Sequence, residues 1–101
     1  MSYFVVMRGH GPGWAEGLPM RKQDAWPAHA AFMDQSVSEA FVVLGGPISG
    51  DDSRIMLIVD CAEEREVRTR LADDPWTELG LLSVASVEAW QVLLKGDGAI
   101  G

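Results

Sequence analysis

Two apolar runs constrain this chain more than any other feature. Tyr3-Phe4-Val5-Val6-Met7 and Ile55-Met56-Leu57-Ile58-Val59 are almost uninterrupted, too continuous for strands with one dry face and one wet face. Both runs therefore need cover on both sides. The first reads as a strand from Tyr3 to Arg8, followed by a Gly- and Pro-rich loop and a helix that starts near residue 25 and runs to Ala40. A second strand begins at Phe41-Val42-Val43-Leu44 and is interrupted by Gly45-Gly46-Pro47. The turn Ser49 to Ser53 then leads into a strand from Arg54 to Asp60. Asp60 and Glu63 stand at capping-box spacing ahead of a helix that reaches Ala72, with Val67 and Leu71 inward, and Asp73-Asp74-Pro75 ends it. The last strand is expected from Leu82 to about Leu94, with a break in pattern near Glu88-Ala89 that suggests a bulge, and Lys95 to Gly101 reads as a frayed tail.

The order strand, helix, strand, strand, helix, strand is the ferredoxin-like plan, an α+β subunit with an antiparallel sheet and two helices on one face. In that plan the first and third strands are central, and they are the two that read apolar on both sides. The sheet face away from the helices is thus expected to be apolar and uncovered, which implies a homodimer packed sheet to sheet.

At 101 residues, with 48% hydrophobic and 23% charged, the chain is expected to form one globular domain over 1–101. No window approaches the roughly 20 apolar residues of a membrane span. The N-terminus has no basic region ahead of its apolar run and reads as a strand, so the expected location is cytoplasmic. A net charge of −7 argues against nucleic acid, which is held by clustered Lys and Arg. The densest basic group, Arg65, Arg68 and Arg70, lies among Glu63, Glu64 and Glu66 and reads as a solvated mixed-charge helix face. Single Cys61 reads as a core thiol, and His10, in the glycine-rich loop, as a solvated residue.

On the first helix, Phe32, Met33, Val37 and Ala40 recur at helical spacing, and His29 lies on the same stripe near the helix start. Asp24 is placed to cap this helix, and Pro27 suits its first turn because the N–H it lacks has no intrahelical partner there. An inward imidazole in this position is either a core residue bonded to a carbonyl or a site. Asp74-Pro75, taken alone, reads as a helix stop.

Pro27-Ala28-His29 on the first helix, Gly46-Pro47 in the second strand, and Asp74-Pro75-Trp76 followed by Gly80-Leu81-Leu82 resemble, in matching order, the YciI-like or YCII-related family. The resemblance covers Tyr3 to about Val92. It implies a dimeric α+β barrel built from ferredoxin-like subunits and a cleft with an active His and Asp, which fall on His29 and Asp74. One related enzyme class eliminates chloride from a chlorinated hydroxyhydroquinone. Three positions depart from the family pattern: Trp26 stands where Arg commonly precedes Pro-Ala-His, Ala40 where Gly is common, and Ala89 where Pro is frequent.

The chemistry so implied needs neither cofactor nor metal. A neutral imidazole removes a proton from a phenol or an acidic carbon, and a carboxylate on its other nitrogen fixes the tautomer and stabilises the imidazolium. Trp26 and Trp76 are expected to wall a small flat ligand, and Gly46 and Pro47 to let it approach the backbone closely. Two function classes follow: a cofactor-independent lyase or isomerase acting on a small cyclic or phenolic metabolite, or a catalytically silent homodimer that binds a small ligand or serves as an accessory subunit.

Overall fold

The structure is a computed structural model that describes residues 2–98. Four strands, β1 (Ser2–His10), β2 (Val42–Ile48), β3 (Asp51–Cys61) and β4 (Leu82–Trp90), form an antiparallel sheet in the order β2-β3-β1-β4. As expected for the ferredoxin-like plan, the first and third strands are central. Helix α1 (Trp26–Ser38) connects β1 to β2, and α2 (Glu64–Ala72) with the single turn of α3 (Pro75–Glu78) connects β3 to β4.

Strand parity decides which side chains meet the helices. Phe4, Val6 and Arg8 alternate onto the buried side of β1 and pair with Val59, Leu57 and Ile55 of β3. Val67 and Leu71 of α2, Trp76 of α3, and Phe41 and Leu81 at strand starts complete that core. The opposite side carries Val5 and Met7, paired with Ile58 and Met56, outside the core that the helices share, and no helix among the described residues covers it. Leu44, Met56 and Trp90 are exposed.

Several local expectations change. β2 runs straight through Gly45-Gly46-Pro47, because it is an edge strand with one neighbour and a Pro there breaks no second ladder. The hairpin turn shrinks to Ser49-Gly50, with φ of 54° and 71°, the double left-handed geometry that matches strand twist. The bulge lies at Ala85, since Met7 pairs Ser86 while Arg8 pairs Val84, and not at Glu88-Ala89. That extra residue switches parity, so Leu82 and Val84 join Val87 on the helix side. β4 stops at Trp90, and 91–98 contain no helix or strand; the remainder of the expected tail, 99–101, lies outside the described residues.

The helix starts differ too. Asp24 does not cap α1: Ala25 precedes the helix in a left-handed conformation (φ 58°), and the Asp24 carbonyl instead accepts from Trp76 Nε1 at 2.6 Å. Asp60 remains in β3, where its N–H bonds to Phe41 O, and Glu63 precedes α2 without a side-chain cap. The inward residues of α1 are His29 and Ser36, with Phe32 and Met33 half-buried. Val37 is 57% exposed, and Ala40, with φ 59°, has left the helix. A left-handed backbone at Ala40 is the conformation that glycine adopts without strain.

Arg65 and Arg68 pair with Glu63 and Glu64 on the exposed side of α2, while Arg70 crosses to Glu39 at the end of α1. Cys61 is fully buried, and burial pushes its thiol up.

Candidate functional site

The candidate site begins with Asp74. The chain leaves α2 at Ala72, and the Asp74-Pro75 pair opens α3: Pro75 supplies a pre-set φ, and Asp74 Oδ1 accepts from Trp76 N at 2.9 Å. Asp74 is therefore both the helix stop read from the sequence and the cap of the next turn. The same carboxylate accepts from His29 Nδ1, which lies 2.9 Å from each of its oxygens, and from Arg8 Nη1, 2.8 Å from Oδ2. Its solvent exposure is zero. Burial pushes the Asp74 carboxyl upward, but the bonds from His29, Arg8 and the Trp76 N–H outweigh it and hold the group below the usual carboxylate range.

His29 is held from two sides. Its ring stacks on the Trp76 indole at 3.9 Å with an interplanar angle of 4°, and Nδ1 faces Asp74. With Asp74 ionised, Nδ1 carries the proton and donates it, and in the neutral form of the ring Nε2 is then the nitrogen with the lone pair. His29 lines a cleft of about 220 Å³ between α1, β2 and the helix side of the sheet. Met20, Met33, Val42, Leu57 and Leu82 give that cleft an apolar wall, with Gly45, Gly46 and Pro47 along one side and Asp34 and Val37 from α1.

The residues singled out from the sequence divide into two groups. His29 and Asp74 come together, and Gly46 and Pro47 line the cleft with His29. Trp26 and Trp76 do not line it. Trp76 is fully buried behind the imidazole, and Trp26, half-buried, packs at 5.7 Å from Trp76 beneath the Arg21 guanidinium. The reason lies in how Trp76 is held: its amide is consumed in capping and its indole N–H reaches across to Asp24, so the ring lies across the helix junction as a backstop. His10 is half-buried rather than free in solvent: it stacks on Trp14 at 3.8 Å, with Nε2 3.2 Å from Asp52 Oδ1, apart from the His29 cleft. Among the described residues, no three His, Cys, Asp or Glu side chains gather as a metal-binding group.

Two participants escaped the sequence reading. Arg8, 2% exposed, reaches Asp74, and its Nη2 donates to Thr77 Oγ1 at 2.8 Å, whose hydroxyl in turn donates to Leu71 O. Arg8 was legible by parity: it follows Phe4 and Val6 on the inward side of β1, where a charge needs a buried partner. Thr77 carried no such signal.

The loop after β1 buttresses this junction. Gly11 N and Gly13 N donate to Leu81 O and Gly80 O, and a Cβ on Gly11 would sit 2.2 Å from the Gly80 carbonyl oxygen. Only glycine permits that approach.

Fold and site together define an α+β protein whose sheet and first helix enclose a cleft with a carboxylate-bound histidine. The chain belongs to the YCII-related domain family, whose model matches residues 1–91. Among solved structures it is similar to 5-chloro-2-hydroxyhydroquinone dehydrochlorinase from Burkholderia phenoliruptrix, in complex with 2,5-dihydroxybenzoquinone. The identity is 27% over 88% of this chain and 93% of that one, with a TM-score of 0.66. No curated protein matches the chain. No helix among the described residues is long and apolar enough to cross a membrane.

Proposed function

We propose that the protein is a cofactor-independent lyase or isomerase acting on a small cyclic or phenolic compound, with His29 as general base and Asp74 orienting it. The observation that carries this reading is the His29 ring at the cleft wall with Nδ1 bound to a fully buried carboxylate, which leaves Nε2 of the neutral ring as the nitrogen to accept a proton. The cleft size supports a one-ring ligand, since an apolar cavity of roughly 150 Å³ holds benzene and this one leaves room for substituents. The likeness to a dehydrochlorinase of a chlorinated hydroxyhydroquinone supports the same class.

In such an elimination His29 Nε2 takes a proton from the substrate's hydroxyl or acidic carbon. The released electron pair moves into the ring; where chlorine sits on an aromatic carbon, that carbon takes a proton back from His29 to give the keto tautomer. Loss of a second hydroxyl proton to His29 then pushes a pair through the ring and expels chloride with its bonding pair. For a chlorinated ring the net loss is HCl, and no redox partner enters. Gly46 and Pro47 bring the β2 backbone to the ligand's edge.

The protein is further proposed to work as a single-domain homodimer packed sheet to sheet. Met56 supports this, because it pairs with Met7 on the side of the sheet without helices and is exposed together with Leu44 and Trp90.

The test is chloride release from 5-chloro-2-hydroxyhydroquinone by the wild type, His29→Ala and Asp74→Asn. The expected result is release by the wild type and similar losses in both variants, because each disables one proton transfer. Tight binding of 2,5-dihydroxybenzoquinone without turnover would favour the silent ligand-binding homodimer.

A further inference from the structure

The site holds a charge that the proton transfer does not itself use. A lone carboxylate against an imidazole favours the imidazolium, in which Nε2 is already protonated and cannot act as a base. Here the carboxylate is shared. Arg8 Nη1 lies 2.8 Å from Asp74 Oδ2, both side chains are buried, and a guanidinium stays protonated across the physiological range. Thr77 fixes this guanidinium from its other end, and the Thr77 hydroxyl is in turn committed to Leu71 O, so Arg8 is an anchored counter-charge at the cleft wall.

We infer that Arg8 is a positioning residue that keeps His29 available as a base by neutralising Asp74. The inference rests on the reading of His29 as the base and adds what makes that reading compatible with neutral pH. Arg8 and Asp74 together carry no net charge, so protonating His29 puts an unbalanced positive charge into a water-poor corner beside the guanidinium. The elements packed around the ring supply little else. β2 and β3 bring Gly45, Gly46, Ile55 and Leu57 to the cleft, α3 brings the Trp76 indole, and among the described residues the one further charged group on the cleft is exposed Asp34 of α1 itself. Asp74 thus orients the Nδ1 proton without holding the ring in its charged form.

The inference is tested by an NMR titration of the His29 imidazole in wild type, Arg8→Gln and Arg8→Lys, which requires no substrate. The chain has two histidines, and a His10→Gln version of each protein assigns the signals. Arg8→Gln should raise the His29 midpoint by about one pH unit, a tenfold change in the ratio of neutral to charged ring. Arg8→Lys, which restores the charge, should stay within about 0.3 of a unit of wild type. A midpoint in Arg8→Gln that matches wild type, or an equal rise in Arg8→Lys, overturns the inference. If Arg8→Gln does not fold, the wild-type imidazole nitrogens decide: a neutral ring with bare Nε2 at neutral pH is expected, and a charged ring there overturns it. Absence of turnover would count against His29 as base and leave this titration result standing.

Discussion

Replacing Asp74 by Ala should destabilise the fold far more than replacing His29, although both belong to one site. Asp74 is fully buried and satisfies three donors: Arg8 Nη1, His29 Nδ1 and Trp76 N. Its removal leaves a guanidinium buried without a counter-charge, which costs about 3–5 kcal/mol, and uncaps α3 for about 1 kcal/mol more. The sum, about 4–6 kcal/mol, is a large part of the roughly 5–15 kcal/mol that holds a domain together. A drop in Tm of about 20 °C or more follows for a chain of this length. His29→Ala loses one hydrogen bond and a stacked contact beside an open cleft, about 1–2 kcal/mol. The double variant Arg8→Met/Asp74→Leu removes both charges together and should cost only about 2 kcal/mol, for the bonds lost by His29 and Trp76. Urea unfolding followed by circular dichroism measures all three. If Asp74→Ala falls within about 1 kcal/mol of wild type, or the double variant is as damaged as the single, the buried-charge reasoning fails.

Other perturbations probe separate parts of the molecule. Because Asp74 is depressed in the folded state, its stabilisation is complete above its unfolded value, about pH 4, and is lost as pH falls through the lower folded value. Acid unfolding of wild type should therefore steepen below about pH 4, and Asp74→Asn should flatten that slope in the same titration. Met56→Glu places a charge on the open sheet side and should give a folded monomer by light scattering; an unchanged dimer would exclude this face as the interface. Ala40→Gly relieves a left-handed alanine at an exposed position and should raise stability by about 0.5–1 kcal/mol in thermal melts, after the larger chain entropy of glycine is deducted.

Much of this architecture is written in local pattern. Continuous apolar runs placed β1 and β3 at the centre of the sheet, and their period-two alternation put Phe4, Val6 and Arg8 on one side without reference to anything distant. The Asp-Pro pair announced a helix stop, and the inward stripe of α1 singled out His29. What local pattern could not carry is the joining of these elements. Whether Asp74 meets His29 depends on how α1 and the α2–α3 junction lie on the same sheet, and Arg8 arrives from a third element 66 positions away. From the residues alone Asp74 favoured a turn, and only the family resemblance assigned it to the site. The cap of α1 differs for a related reason: Ala25, in a left-handed conformation, takes the position before the helix, and Asp24 is held one residue further out, where its carbonyl accepts from the Trp76 indole across the fold. Trp26 and Trp76 look like ligand walls as residue types, and burial made them the support behind His29. The sequence by itself thus determined the order of strands and main helices and the inward side of β1, because these follow from periodicity and short-range backbone chemistry. Tertiary structure alone decided which buried polar groups share one carboxylate, because a buried charge must be satisfied by whichever donor the packing brings to it.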